Sequence, residues 1–217
     1  MSAAALLDQH IVPNLFDPTY YYRLNVRTGV MQNAFGTKCC TFSGYALQGL
    51  YTALKDETGP AWHLVMRRCG ELWGKRFATR LLEEIATFYH EGLADMTMAR
   101  FTALVEAYFA GAGWGRPRFD FSHMPQGLLL VEVQNEIFGD LLRQANERAG
   151  ALLEGVLKAL FTAVTTEDMD CYETQSIGMG ASTSRFVLGT RVRLSPVLAW
   201  IEDGTGHQDI MARLVAA

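Results

Sequence analysis

The side chains best suited to chemistry are four thiols and an acid that opens a hydroxyl-rich segment near the carboxyl end. Cys39, Cys40, Cys69 and Cys171 lack the paired two-residue spacing of a zinc ribbon or a dithiol redox motif, so free thiols are expected. The adjacent Cys39 and Cys40 could form a redox or soft-metal feature. Thiols also serve as small buried hydrophobes at element boundaries, and that is the role expected here. Cys171 and Glu173 share one face of an alternating strand. Two ligands do not close a tetrahedral metal site, so Glu173 is expected to pair with Arg185 across its hairpin instead. Gly111-Ala112-Gly113-Trp114-Gly115 superficially resembles a dinucleotide loop. It ends a helix rather than opening one after a strand, so the geometry that cradles a phosphate is missing. With no P-loop and no nucleophile elbow, no catalytic residue and no built-in cofactor are assigned.

Any such group needs a scaffold. The 217 residues are 49% apolar, enough for one domain to bury a core without disulfides or metal. A net charge of -4, with Lys and Arg scattered, leaves no footprint for a phosphate backbone, so nucleic acid is not an expected partner. No stretch approaches the roughly 20 apolar residues of a membrane helix. The amino terminus lacks the basic start and apolar run of a signal peptide. A cytoplasmic protein with no integral membrane segment is expected.

Periodicity places the elements. Residues 1–20 read as an arm with a short apolar helix and two prolines, followed by a strand over 20–27 that turns at Thr28 and Gly29 into a second strand. A helix over 41–54, capped by Thr41, stops at Glu57-Thr58-Gly59-Pro60. The longest helix follows, with Trp62, Met66, Cys69, Trp73, Phe77, Leu81 and Phe88 on its apolar stripe. Arg67, Arg68, Lys75, Arg76, Arg80, Glu83 and Glu84 fall on its polar face. A helix over 96–110, strands at 119–121 and 128–133, and one helix over 136–164 come next. Strands over 170–177 and 184–194 close residues 21–194, the expected ligand-binding domain, and 195–217 form a helical extension. This order favours an α+β fold, a small antiparallel sheet packed with several helices.

Three patterns along the chain resemble the 4-vinyl-reductase domain family. They are Cys69-Gly70-Glu71-Leu72-Trp73-Gly74-Lys75-Arg76 in the long helix, Gly113-Trp114-Gly115 after the next, and a terminal hairpin. The hairpin reads Tyr172-Glu173-Thr174-Gln175-Ser176-Ile177-Gly178-Met179-Gly180, then Ser184-Arg185-Phe186. The resemblance implies a fold similar to the small subunits of the TRAPP vesicle-tethering complex, with an apolar cavity enclosed by helices and a small sheet. It also implies kinship with sensory domains of aromatic-responsive regulators and with proteins of chlorophyll or bacteriochlorophyll formation. Many members bind zinc through an acid and two cysteines of the hairpin. Here Glu173 matches the acid, but Ser176 and Ser184 stand at the cysteine positions. Neutral hydroxyls are poor zinc ligands beside thiolates, so zinc is not expected.

The expected function is therefore binding or carrying a small hydrophobic ligand, such as a chlorophyll precursor, in pigment biosynthesis or photosystem assembly. Trp73, Phe77, Phe101, Val131, Phe138 and Phe186 are the expected cavity walls. His63 and His90, at the ends of the long helix, are candidate axial ligands for a bound tetrapyrrole, against the commoner roles of solvated or capping histidines. Two alternatives stand: a tetrapyrrole 4-vinyl reductase dependent on a partner, and a ligand sensor or assembly factor acting through protein contacts. A homodimer, photosystem or pigment-biosynthesis partners, and a place peripheral to photosynthetic membranes belong to the same expectation.

Overall fold

The computed structural model describes residues 14–143 and 146–216. The apolar helix expected in the opening arm lies outside them. The chain enters through α1 (Pro18–Tyr21) and a three-stranded antiparallel sheet of β1 (Tyr22–Asn25), β2 (Val30–Asn33) and β3 (Lys38–Cys39). Next come α2 (Gly44–Thr58), α3 (Trp62–Tyr89), α4 (Met98–Gly111), β4 (Arg116–Asp120), β5 (Leu129–Gln134) and α5 (Ile137–Leu142). The chain continues through α6 (Ala151–Thr165), β6 (Met169–Gln175), β7 (Ser184–Thr190), α7 (Arg191–Leu194), α8 (Val197–Glu202) and α9 (His207–Ala216). The architecture is α+β, with a second antiparallel sheet in the order β4-β5-β7-β6.

Local chemistry explains most boundaries. α2 starts later than its periodicity suggests because Ser43, not Thr41, caps it: the Ser43 hydroxyl accepts the Ala46 N–H at 3.3 Å. Thr97 caps α4 in the same way, accepting from the Arg100 N–H at 3.2 Å. The helix expected over 136–164 is two helices. Asn146 sits at φ +53°, a left-handed turn that α-helix cannot continue through. Gly150 is then drawn against β6, where its N–H donates to Glu173 at 3.0 Å.

The sheet divides the core in two. Alternation sends Leu129, Val131, Val133, Phe186, Leu188 and Cys171 to the face covered by α3, α4 and α6. Tyr172, Val187 and Leu130 face the other way and pack with Leu194, Val197, Ile210, Met211 and Leu214 of α7, α8 and α9. The thiol of Cys171 is fully buried, and burial pushes its pKa well up.

α3 and α6 meet backbone to backbone. A Cβ built on Gly70 would stand 2.1 Å from the Leu152 carbonyl oxygen, and one on Gly155 would stand 2.2 Å from that of Arg67. The glycine spacing of the long helix therefore marks a contact where side chains have no room. Two residues expected on the polar face of α3 turn inward instead, Glu84 buried and Arg67 half-buried. Glu84 accepts hydrogen bonds from the Tyr21 hydroxyl at 2.6 Å and from Asn33 at 2.7 Å, which fixes the first sheet to α3. Arg67 reaches Asp170, the Cys171 carbonyl and Glu154, and lies 4.4 Å above the Tyr172 ring. Cys69, expected on the buried stripe, is exposed, because α6 approaches the Gly70–Gly74 side of the helix.

Candidate functional site

A half-open cleft of about 360 Å³ lies between α2, the start of α3 and α5. Its aromatic floor is Tyr51 and Trp62, both buried, with Leu141 and Leu142 as the aliphatic wall. Gln48, Thr52, Lys55 and Asp56 form a polar rim along α2. The pattern follows from helix spacing. Leu47, Tyr51 and Leu54 recur at intervals of four and three, so one narrow stripe of α2 docks on the core while the next turn's polar groups face the opening. The Tyr51 hydroxyl donates to the Ala149 carbonyl at 3.2 Å, and Lys55 pairs with Glu147 at 2.5 Å. Both contacts tie α2 to the segment that precedes α6.

From this floor an aromatic chain runs inward. Tyr51 meets Trp62 at 5.5 Å and stacks on Phe138 at 6.2 Å. Phe138 meets Trp114 at 5.6 Å, and Trp114 lies 4.3 Å from Trp73, which touches Phe77 at 5.9 Å. Trp73, Phe77 and Phe138 thus belong to one cluster, organised around Trp114. Phe101 belongs to a different part of the core and packs against Phe161 at 6.5 Å. Val131 and Phe186 are cross-strand partners on the inner face of the sheet. Sequence reasoning left Tyr51, Trp62 and Trp114 off the list of walls. Trp62 was legible on the apolar stripe, whereas Trp114 sits among turn glycines, where an aromatic residue carries no periodic signal.

The hairpin end of the sheet holds a second polar feature. Glu136 and Glu173 are buried to 0% and 1% exposure. Among the described residues, neither oxygen of Glu136 nor Oε1 of Glu173 has a hydrogen-bond partner of ordinary geometry. Burial pushes both carboxyl groups above the usual carboxylate range, and the charge of Glu136 adds to the rise at Glu173. The hydroxyls of Ser184 and Ser176, beside Glu136 and Glu173 respectively, pull the other way. Burial also raises Tyr51, with the charges of Glu136 and Glu173 adding to it, so the cleft floor adjoins this acid pair.

Zinc does not fit this donor set. Ser184 accepts the Ile177 N–H at 3.1 Å and Ser176 accepts the Gly178 N–H at 3.2 Å, so both hydroxyls serve the backbone turn. Among the described residues, no group of three or more His, Cys, Asp or Glu is placed to hold a metal ion. The expected pairing of Glu173 with Arg185 is also absent. Glu173 stands opposite Phe186 on the inner face, while Arg185 points outward to Glu132 at 3.1 Å. A one-residue offset on a strand reverses the face.

The remaining candidates do not converge. His63 is half-buried against Trp62, with ring centroids 3.7 Å apart, and burial lowers its pKa. His90 ends the 28-residue α3 in a left-handed conformation, at the opposite end from His63. Cys39 is half-buried and Cys40 is exposed, so the pair does not serve as a buried hydrophobe; it lies at the open edge of the small sheet. Among the described residues no helix is long and apolar enough to cross a membrane.

No family model matches the chain, and no curated protein sequence matches it. Among solved structures, the phenol-responsive sensory domain of the transcription activator PoxR, solved with phenol, matches with a TM-score of 0.66 at 16% identity. The match covers 93% of this chain and 98% of that one. A trafficking protein particle complex subunit 3 from Naegleria fowleri, covalently bound to palmitic acid, matches with a TM-score of 0.48 at 12% identity, over 67% of this chain and 93% of that one. A vinyl-4-reductase family protein from Methanocaldococcus jannaschii matches with a TM-score of 0.45 at 11% identity, over 69% of this chain and 82% of that one. What the chain shares with the sensory domain is its fold.

Proposed function

We propose that this chain binds a small apolar ligand of about one aromatic ring in the cleft between α2, α3 and α5. The observation that carries this reading is the cleft itself, about 360 Å³ with Tyr51 and Trp62 as its floor. That volume lies at the small end of the roughly 300–1,000 Å³ common for ligand pockets. Aromatic and aliphatic walls exclude water, while Gln48, Thr52, Lys55 and Asp56 offer donors and acceptors that orient one polar group of the ligand. The fold shared with a phenol-responsive domain supports the same size class. A chlorophyll precursor joins four pyrrole rings in one macrocycle, and admitting it would require α2 to leave its place on the core.

Binding is read by titrating phenol, other single-ring aromatics and a tetrapyrrole against tryptophan fluorescence and calorimetry. Single rings are expected to bind with micromolar affinity. That is about 8 kcal/mol, within the ceiling of about 1.5 kcal/mol per heavy atom for very small ligands. Trp62→Leu is expected to weaken binding at least about tenfold, or 1.4 kcal/mol. Saturable binding of the tetrapyrrole with none of the single rings would overturn the size class. Ligand binding untouched by Trp62→Leu would place the site elsewhere.

A further inference from the structure

The rim of the cleft between α2, α3 and α5 is unbalanced in charge. Lys55 is the one cation among its lining residues, and its ammonium is already held by Glu147 at 2.5 Å. Drawing Lys55 away to an anionic ligand would strand Glu147, because the other oxygen of that half-buried carboxylate is enclosed and has no hydrogen-bond partner among the described residues. Asp56, next to Lys55 on the rim, is exposed and has no ion pair among the described residues, and neither has Glu57 beside it.

Asp56 also stands against local helix physics. α2 ends at Thr58, so Asp56 and Glu57 occupy its last turn, where the helix carries partial negative charge and anions are disfavoured. Lys55, the basic residue of that turn, is spent on Glu147. An acid set against the helix dipole without a partner forgoes stability, and such departures from local preference gather at functional sites. The dipole and Asp56 together make the end of the cleft where α2 stops electronegative. Neighbouring cations do not cancel it. On α5, Arg143 pairs with Asp140 at 2.9 Å, and before α6, Arg148 donates to the Glu173 carbonyl at 3.0 Å. Burial holds His63, beside Trp62, below its ordinary pKa, so it adds no steady charge at neutral pH.

We propose that the ligand of this cleft is a protonated amine carried on a single aromatic ring. The inference rests on the reading of the cleft as a ligand site and names the chemical class that site takes. The ring lies against Tyr51, Trp62 and the aliphatic wall of Leu141 and Leu142, and the ammonium meets the Asp56 carboxylate. Gln48 and Thr52 supply acceptors for its remaining N–H groups. Tyr51 and Trp62 meet at 63°, so the floor is a corner of two rings rather than a flat wall. The negative faces of aromatic rings favour a cation over a neutral group of the same size.

Phenethylamine, phenethyl alcohol and phenylacetate have nearly the same shape and differ in charge. Each is titrated by calorimetry against the full chain at neutral pH. The amine is expected to bind about five- to tenfold more tightly than the alcohol, and phenylacetate more weakly than either. Raising salt to about 0.5 M should narrow the ratio of amine to alcohol, because Asp56 is exposed to solvent. Asp56→Asn is expected to bring the two to within about twofold of each other. Equal binding of amine and alcohol overturns the inference and leaves the cleft reading standing. Tightest binding by phenylacetate does the same and would assign the rim to Lys55 and an acid. A preference for the amine that survives Asp56→Asn overturns the assignment of Asp56. Failure of all three ligands to bind overturns the cleft reading itself, and this inference with it. The ligand series needs no substitution, so it decides the matter even if the variant fails to fold.

Discussion

α3 meets α6 and α2 in opposite ways. Along α6, Gly70, Gly74 and Gly155 bring the two backbones into contact, and the space between the helices is closed by main chain. Against α2, large rings hold the helices apart: Trp62 at the start of α3 and Tyr51 in the middle of α2 meet at 5.5 Å and leave a cleft of about 360 Å³. The difference shows how one fold separates support from binding. Small residues at a contact give a rigid join, and bulky residues that fill it incompletely give a pocket with walls already in place.

The contrast is broken most severely at the ion network that flanks the closed side. Arg67→Met leaves Glu154 and Asp170 facing each other without their cation, and is expected to cost about 3–5 kcal/mol. Urea unfolding measures it, and a loss below about 1 kcal/mol would mean that Lys158 alone, 3.8 Å from Asp170, suffices. Gly155→Ala tests the backbone contact itself. One methyl group there meets main chain at 2.2 Å, and the expected loss is about 2–3 kcal/mol. The same change at Gly49 on α2 sharpens the comparison, because a Cβ there has nothing within 4 Å among the described residues. Gly49→Ala is expected to raise stability by up to about 1 kcal/mol through helix propensity. Equal effects at the two glycines would erase the distinction between the sides.

Much of this scaffold was legible in the sequence. The apolar stripe of α3 was clear from its spacing, and the strands around the terminal hairpin from their alternation, because burial on one face imposes a period. The break between α5 and α6 was not, since helical spacing runs on through residues 143–150, whereas the left-handed Asn146 and the long-range bond from Gly150 to Glu173 mark the break. Glu84, Glu136 and Arg67 were hidden for a related reason. Charged residues are ordinarily solvated, and only the tertiary partner reveals those that are buried or half-buried. Of the expected walls, Trp73, Phe77 and Phe138 join the cluster behind the cleft, while the floor residues Tyr51 and Trp62 came from the structure. A cleft depends on how two helices fail to fill the space between them, and no single-helix pattern encodes that.

The glycine seam also has a dynamic consequence. Helices whose main chains touch cannot slide or tilt against each other without collision, so α3 and α6 are expected to move as one body in local opening. α2, held by the Tyr51–Ala149 hydrogen bond, the Lys55–Glu147 pair and one stripe of side chains, is the element expected to open first. Amide exchange should therefore separate the two, with α2 opening well before α3 and slowing when the cleft is filled. In that mechanical sense the molecule is a fixed beam with a hinged jaw.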